Sequence, residues 1–362
     1  MKIFFIGECS EREKQSAPLL VAAGLFNAFR QKNIPVKYIT YFTDGSKYSV
    51  FQKIFGRQVI DKDTIRFGII PMIIYVVRNK PDVLYLLNIE FFYFPLLLMK
   101  FVLKYKIYYT SHGIVAYENR YFRKIPFILN MKNLIIEYLN FKISDKIISL
   151  SKKSARLISY CYNLDRGKIR VLDNGLSSIG TFNKKTSAFN PLSVKLAVVG
   201  STSRKEKGIG FLIKALSLLD YKIELNVYGE NTDLLRTDRF NNLNVNLHPF
   251  VENKELICKL ADNDIFIAPS SYDTFNLSLL EAMNIGMLII SSDRVGLAER
   301  FDDKLMKFVY KHNNMSDLQD KLKMVINFSP EERSFYSELN HEFSLAFNWD
   351  KVSNQYLTIF NE

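Results

Sequence analysis

Cysteine is nearly absent from this sequence. Cys9, Cys161 and Cys258 are odd in number and share neither a pairing nor a metal-ligand spacing. A disulfide-stapled scaffold is thereby excluded, and a reducing compartment is expected. Long apolar runs are missing as well. The two longest, over 67–77 and 91–103, carry Pro71, Pro95 and Lys100 and fall short of the roughly 18 residues a spanning helix needs. The apolar stretch after Lys2 ends at Gly7, too short for the core of a signal peptide. There is no internal repeat and no low-complexity segment. The expectation is a cytoplasmic protein, soluble or lying on a membrane surface.

What is present fits two domains. A chain of 362 residues exceeds one ordinary core, and 48% hydrophobic with 24% charged residues is a globular composition. Positive charge is concentrated: residues 1–180 hold 28 Lys and Arg against 13 Asp and Glu, and the remainder 21 against 24. A basic half implies an anionic partner such as membrane lipid, nucleic acid or a charged substrate. A merely solubilising surface would look the same, and no nucleic-acid recognition motif accompanies it. Short buried-strand patterns at 2–7, 36–41, 82–87 and 107–110 surround a helical pattern over 18–32, with Leu19, Leu20, Ala23, Phe26 and Phe29 at helical spacing. That alternation reads as a doubly wound α/β domain. Residues 121–142 interleave Arg123, Lys124, Lys132 and Lys142 with aromatics, Ile and Leu. They fit either an interfacial amphipathic surface or a core helix with a basic outer face.

The rest of the chain is organised around residues 264–299. Ile265–Ala268 is a short apolar run of strand formers, ended by Pro269, Ser270 and Ser271. Residues 277–285 are helical in pattern, with Leu279, Leu280 and Met283 on one face and Gly286 where a helix C-terminal glycine belongs. A second buried strand follows over 287–290. Asp273 lies in the loop before the helix and Glu281 a little over a turn inside it. Both carboxylates thus face one crevice at the strands' C-terminal ends, where open α/β sheets bind ligands.

Asp273 and Glu281, with the flanking A-P-S, L-L-E-A-M and S-D-x-x-G-x-x-E runs, resemble the E-x7-E block of the family 4 glycosyltransferases, which have the two-domain GT-B fold. Aspartate replaces the first glutamate here, and the usual E-G-F-G or E-T-F-G loop reads Asp273-Thr274-Phe275-Asn276. Ser111-His112-Gly113 is similar to the family's H-G element, whose histidine lies beside the donor sugar. Residues 145–151 and 168–175 are similar to its D-x-V-I-x-x-S and K-I-x-V-I-x-N-G. Residues 200–208 resemble G-R-L-x-x-x-K-G with one extra residue: the arginine becomes Arg204, while Lys207-Gly208 keep their place before a helix. A basic loop at a helix N-terminus attracts anions. Gly229 closes a strand like the family's V-x-G, and residues 245–252, including Phe250, are similar to the strand and loop that line the nucleotide base. His248 in that strand reads as structural. Trp349 and Tyr356 resemble the closing helix, which in this fold returns to the first domain. The Gly-Gly pair usual after the first strand is replaced by Glu8-Cys9-Ser10-Glu11-Arg12.

The resemblance implies α/β architecture with two Rossmann-like domains facing across a cleft: 1–182 with the returning helix 346–362, a linker over 183–194 around Pro191, and a donor domain over 195–345. It implies retaining transfer from a nucleotide-sugar without metal or cofactor. Charge builds on the departing diphosphate, so cations and N–H groups aimed there lower the barrier. Lys207, Arg204 and the N–H groups of Phe275 to Leu277 are expected in that role, with Ser201, Gly208, Gly229, Thr274 and Asn276 in the donor-binding loops. Glu281 is expected on the ribose hydroxyls, and Asp273 and His112 at the sugar. The implied acceptor is a sugar or a lipid-linked oligosaccharide of envelope or capsular polysaccharide, reached by a protein touching the anionic inner face of the membrane, with no nucleic acid involved. The changed Asp273, Asn276 and first loop leave room for a non-catalytic GT-B protein that binds a sugar nucleotide or a partner.

Overall fold

The computed structural model describes residues 1–8, 17–42, 47–88, 90–176, 193–232 and 240–362. Most of the expected linker and of the loop after the first strand, Cys9 included, lie outside them. Eight strands form the first sheet: β1 (Ile3–Ile6), β2 (Val36–Tyr41), β3 (Arg57–Val59), β4 (Thr64–Phe67), β5 (Val83–Leu86), β6 (Lys106–Ser111), β7 (Lys146–Ser149) and β8 (Ile169–Val171). Their order is β3-β4-β2-β1-β5-β6-β7-β8, parallel except for the edge hairpin β3-β4. Six strands form the second: β9 (Val194–Val199), β10 (Ile223–Tyr228), β11 (Leu243–His248), β12 (Ile265–Ala268), β13 (Leu288–Ser292) and β14 (Val309–Tyr310), in the order β11-β10-β9-β12-β13-β14 and wholly parallel. Strands such as Ile3–Ile6 and Ile265–Ala268 are apolar at every position and buried at every position, as sheets covered on both faces require. The strand order reverses beside β1 in one sheet and between β9 and β12 in the other. The loops leaving those points are therefore the ones free to hold a ligand.

The last helix, Trp349–Phe360, belongs to the first domain's core. Val352, Tyr356, Ile359 and Phe360 are buried among Phe5, Phe29, Tyr85 and Tyr108. Trp349 lies between two glycines: a Cβ on Gly24 would stand 2.2 Å from its indole, and one on Gly175 2.3 Å. No other side chain fits at either position without displacing the ring.

Residues 121–142 do not form one element. The helix Val115–Tyr121 ends first, and a second helix, Phe127–Ile143, starts after Pro126. Only Glu137, Asn140 and Phe141 of the latter are fully buried. Its outer face mixes exposed apolar residues, with Phe127 77% and Ile128 84% exposed and Met131, Ile135 and Tyr138 also exposed, with exposed Lys132 and Lys142. A core helix with a basic outer face is thus not what folds. Two further elements carry plain signals: helix Pro330–Ser344 opens on a Ser329–Glu332 capping box with proline in its first turn, and helix Met315–Ile326 on an Asn314 cap.

Candidate functional site

The second domain's wall is built by two loops in contact. After β9, residues 200–208 turn back and end at Gly208, whose φ of +69° most side chains adopt only with strain. A Cβ there would meet the carbonyl oxygen of Pro269 at 2.1 Å, so this loop and the one after β12 press backbone to backbone. Their contact brings Lys207 onto Asp273, Nζ donating to Oδ2 at 2.7 Å. Asp273 Oδ1 accepts the N–H of Phe275 at 3.3 Å. That N–H is therefore engaged by the protein's own carboxylate, not held free for a diphosphate as the sequence suggested. Asn276 adopts φ 74° and caps helix Leu277–Asn284, its side chain accepting the N–H of Leu279; asparagine tolerates the left-handed backbone and doubles as an N-cap. One turn on, Glu281 is buried and accepts from Asn253 Nδ2 at 2.6 Å. Burial pushes its carboxyl up to about 7, opposed by the Asn253 hydrogen bond.

The first domain's wall follows β6. Ser111 Oγ donates to the Gly113 carbonyl at 2.6 Å, tightening the turn at His112. The His112 carbonyl accepts from Thr274 Oγ1 at 3.0 Å, tying the two walls together. Burial pulls the His112 imidazole down to about 4, so it is neutral at physiological pH. Beside it stands Glu118, buried and paired with Arg123. Arg204 crosses from the second domain, 2.7 Å from Glu206 and 3.8 Å from Glu118, and Arg123 lies 3.5 Å from Glu206. Tyr272, adjoining Asp273, packs into the first domain's core with its ring 4.9 Å from that of Tyr117.

Between the walls lies a cavity of ≈ 280 Å³, near the lower bound of about 300 Å³ for small-molecule sites. It brings together His112, Arg204, Lys207, Asp273 and Glu281 with Phe250, Thr274, Phe275, Asn276 and Leu277. Three expected residues do not line it. Ser201 instead pairs with Ser203 Oγ at 2.9 Å and Asn231. Gly208 shapes the wall from behind, as does Gly229, where a Cβ would stand 2.2 Å from the Gly200 carbonyl oxygen. His248 is structural, stacked on Tyr228 and bonded to Asn226. Glu118, Asn253 and Tyr272 line the cavity without any sequence signal of their own. Among the described residues, no three His, Cys, Asp or Glu side chains converge as metal ligands would, and no helix is long and apolar enough to cross a membrane.

Residues 181–339 match the family model described as Glycosyl transferases group 1. The chain is 25% identical to an uncharacterized 41.2 kDa protein in the cps region of Klebsiella pneumoniae, over 84% of this chain and 85% of that one. It is 26% identical to the O-antigen biosynthesis glycosyltransferase WclY of Escherichia coli, over 60% and 61% of the two chains. The fold is similar to that of Anabaena HepE, solved in complex with UDP and glucose, with a TM-score of 0.70, 15% identity, and 100% and 99% of the chains covered. The group 1 glycosyl transferase pattern thus lies toward the second domain, and the GT-B fold spans the whole chain.

Proposed function

We propose that the protein moves a sugar from a nucleotide-sugar donor, with retention and without a metal ion, onto an acceptor of cell-envelope or capsular polysaccharide. The observation that carries the reading is the meeting of Lys207, Asp273 and Glu281 from one domain with His112 from the other in a single cleft cavity. As the C1–O bond of the donor breaks, charge builds on the departing diphosphate, and a fixed cation at that point stabilises it more than it stabilises the donor. Lys207, held in place by Asp273, supplies that cation. Glu281 takes the ribose hydroxyls, and neutral His112 and Asp273 contact the sugar. The relatives named for a capsule region and for O-antigen synthesis support the acceptor class, and the UDP and glucose of the HepE complex support the donor class. Thermal-shift measurements across nucleotide sugars and free nucleoside diphosphates test this. Stabilisation by one nucleoside diphosphate and its sugar is expected; no shift with any would sink the reading.

The first domain docks peripherally on the anionic inner face of the membrane, where a lipid-linked acceptor resides. Exposed Phe101, Val102, Phe127 and Ile128, with exposed Lys104, Lys124, Lys132 and Lys142 around them, support this placement. Vesicle co-sedimentation should find binding to anionic but not neutral lipid, weakened by salt.

One observation favours a non-catalytic GT-B protein instead: Lys207 and Asp273 close on each other. Donor hydrolysis by the purified chain tests that alternative: turnover would rule it out, and its absence with every donor would favour it.

A further inference from the structure

We infer that Glu137, on the helix Phe127–Ile143, is the positioning residue that fixes His112 and Glu118 at the cleft. The inference rests on the reading of His112 as a sugar contact, although its first readout does not. Glu137 is fully buried, 0% exposed, and a buried carboxyl is tolerated only when its oxygens are satisfied. Its partners come from two other helices. Oε1 accepts the N–H of Val115 at 2.9 Å, and Oε2 accepts the N–H of Ala116 at 3.2 Å and the Tyr162 hydroxyl. Val115 and Ala116 open the helix that leads from the His112 turn to Glu118, and that helix has no side-chain cap of its own at Ile114. Its two oxygens satisfy two orphan N–H groups, and those bonds oppose the burial that pushes the carboxyl up to about 8. Glu137 thus joins three helices directly behind the His112 turn, while the opposite face of its own helix is exposed. Nothing in the reacting cavity touches Glu137 itself, so it acts through the segment it holds.

Glu137→Gln, nearly isosteric, keeps one acceptor and loses one N–H partner. Glu137→Ala loses both, and Tyr162→Phe removes only the hydroxyl. The first readout is the imidazole Cε1–H resonance of His112 in selectively labelled protein, identified by its loss in His112→Asn. The other three histidines, His248, His312 and His341, all lie in the second domain and serve as internal controls. In Glu137→Gln we expect the His112 resonance to move while the other three stay in place. We further expect UDP affinity to change by less than about twofold, because the second domain is untouched, and kcat for UDP-glucose hydrolysis to fall about tenfold with little change in KM. Glu137→Ala should lose more, and Tyr162→Phe less. An unmoved His112 resonance in Glu137→Gln would overturn the inference, and so would a shift of all four resonances together, which would mean general loosening. A wild-type chain that hydrolyses no donor would defeat the transferase reading alone, because the His112 resonance still decides this one.

Discussion

The two domains share an architecture and differ in what they show to solvent. The first exposes Phe101, Val102, Phe127 and Ile128 beside lysines, whereas the exposed large hydrophobics of the second are scattered: Leu218, Met306, Phe335 and Leu345. Scattered apolar residues need no explanation, but a run such as Phe127, Ile128, Leu129 and Met131, flanked by exposed Lys124 and Lys132, does. The same contrast holds at the cleft. The second domain's wall gathers Lys207, Asp273 and Glu281 within a few residues of two switch-point loops. The first domain's wall offers a neutral His112 and a Glu118 already paired with Arg123. On the proposed reading, one domain grips a small polyanion at its loops and the other meets an extended surface and presents an acceptor. Changes on one side of that contrast should leave the other intact.

The largest effect is expected at Lys207. Lys207→Ala removes a charge-assisted contact worth about 1.5–3 kcal/mol, so donor turnover should fall about ten- to a hundredfold with vesicle binding unchanged. Unaltered turnover with every donor tried would remove Lys207 from the mechanism. Lys207→Arg should recover part of the activity, since it keeps the charge and changes the geometry.

Next comes the first domain's surface. Phe127→Ser with Ile128→Ser should weaken vesicle binding by roughly 1.5–3 kcal/mol per fully inserted side chain, and Lys124→Glu with Lys132→Glu by about 1 kcal/mol per lysine or more. Donor hydrolysis in free solution should not change. Arg123 is left out of this test because it pairs with Glu118 and Glu206 inside the cleft. Equal binding of wild type and both double variants would mean that the apolar patch is not a membrane contact.

The smallest effect is a pH dependence of the second domain. Burial raises the Glu281 carboxyl to about 7 in the free protein, and ribose hydroxyls donate best to the ionised form. Nucleotide affinity should therefore rise as pH increases through 7, by up to about tenfold between pH 6 and 8. The free nucleotide's terminal phosphate titrates near the same range, so the quantity to read is wild type minus Glu281→Gln. The sign for stability is opposite. The folded state keeps this proton at a pH where the unfolded chain has lost it, so the group's contribution to stability falls as pH rises from about 4.5 to about 7. Identical pH profiles for wild type and Glu281→Gln would place the ribose elsewhere.

Much of the second domain could be read directly, because its chemistry is local. Lys207-Gly208 and Asp273 to Glu281 are short motifs in which a strand end, a turn and a helix start follow one another, and the backbone conformation that each residue tolerates sets the geometry. Asn276 shows this: its capacity for a left-handed backbone is a property of the residue, and the structure uses it at φ 74°. Ser201 shows the limit. It sits in the same loop, but its side chain turns to Ser203 and Asn231 because β10's end happens to lie beside it.

The first domain was harder to read, because its wall is assembled from distant pieces. Nothing in the run around Glu137 separates it from a solvated helix glutamate. Only the packing of helices Val115–Tyr121 and Lys152–Tyr162 against it makes it a buried acceptor. The outer face of the same helix was open between two readings for a similar reason: apolar spacing says which residues share a face, not whether a neighbour covers it. Sequence by itself determined the doubly wound order of strands and helices, which follows from periodicity, while the loops around Lys207 and Asp273 and the returning helix around Trp349 were implied by resemblance to short family motifs. Tertiary structure alone decided that Lys207 meets Asp273, that Arg123 and Arg204 bridge the cleft, and which carboxyls are buried. Those outcomes depend on where loops far apart in the chain come to rest, and a buried charge is defined by its surroundings, not by its neighbours in sequence.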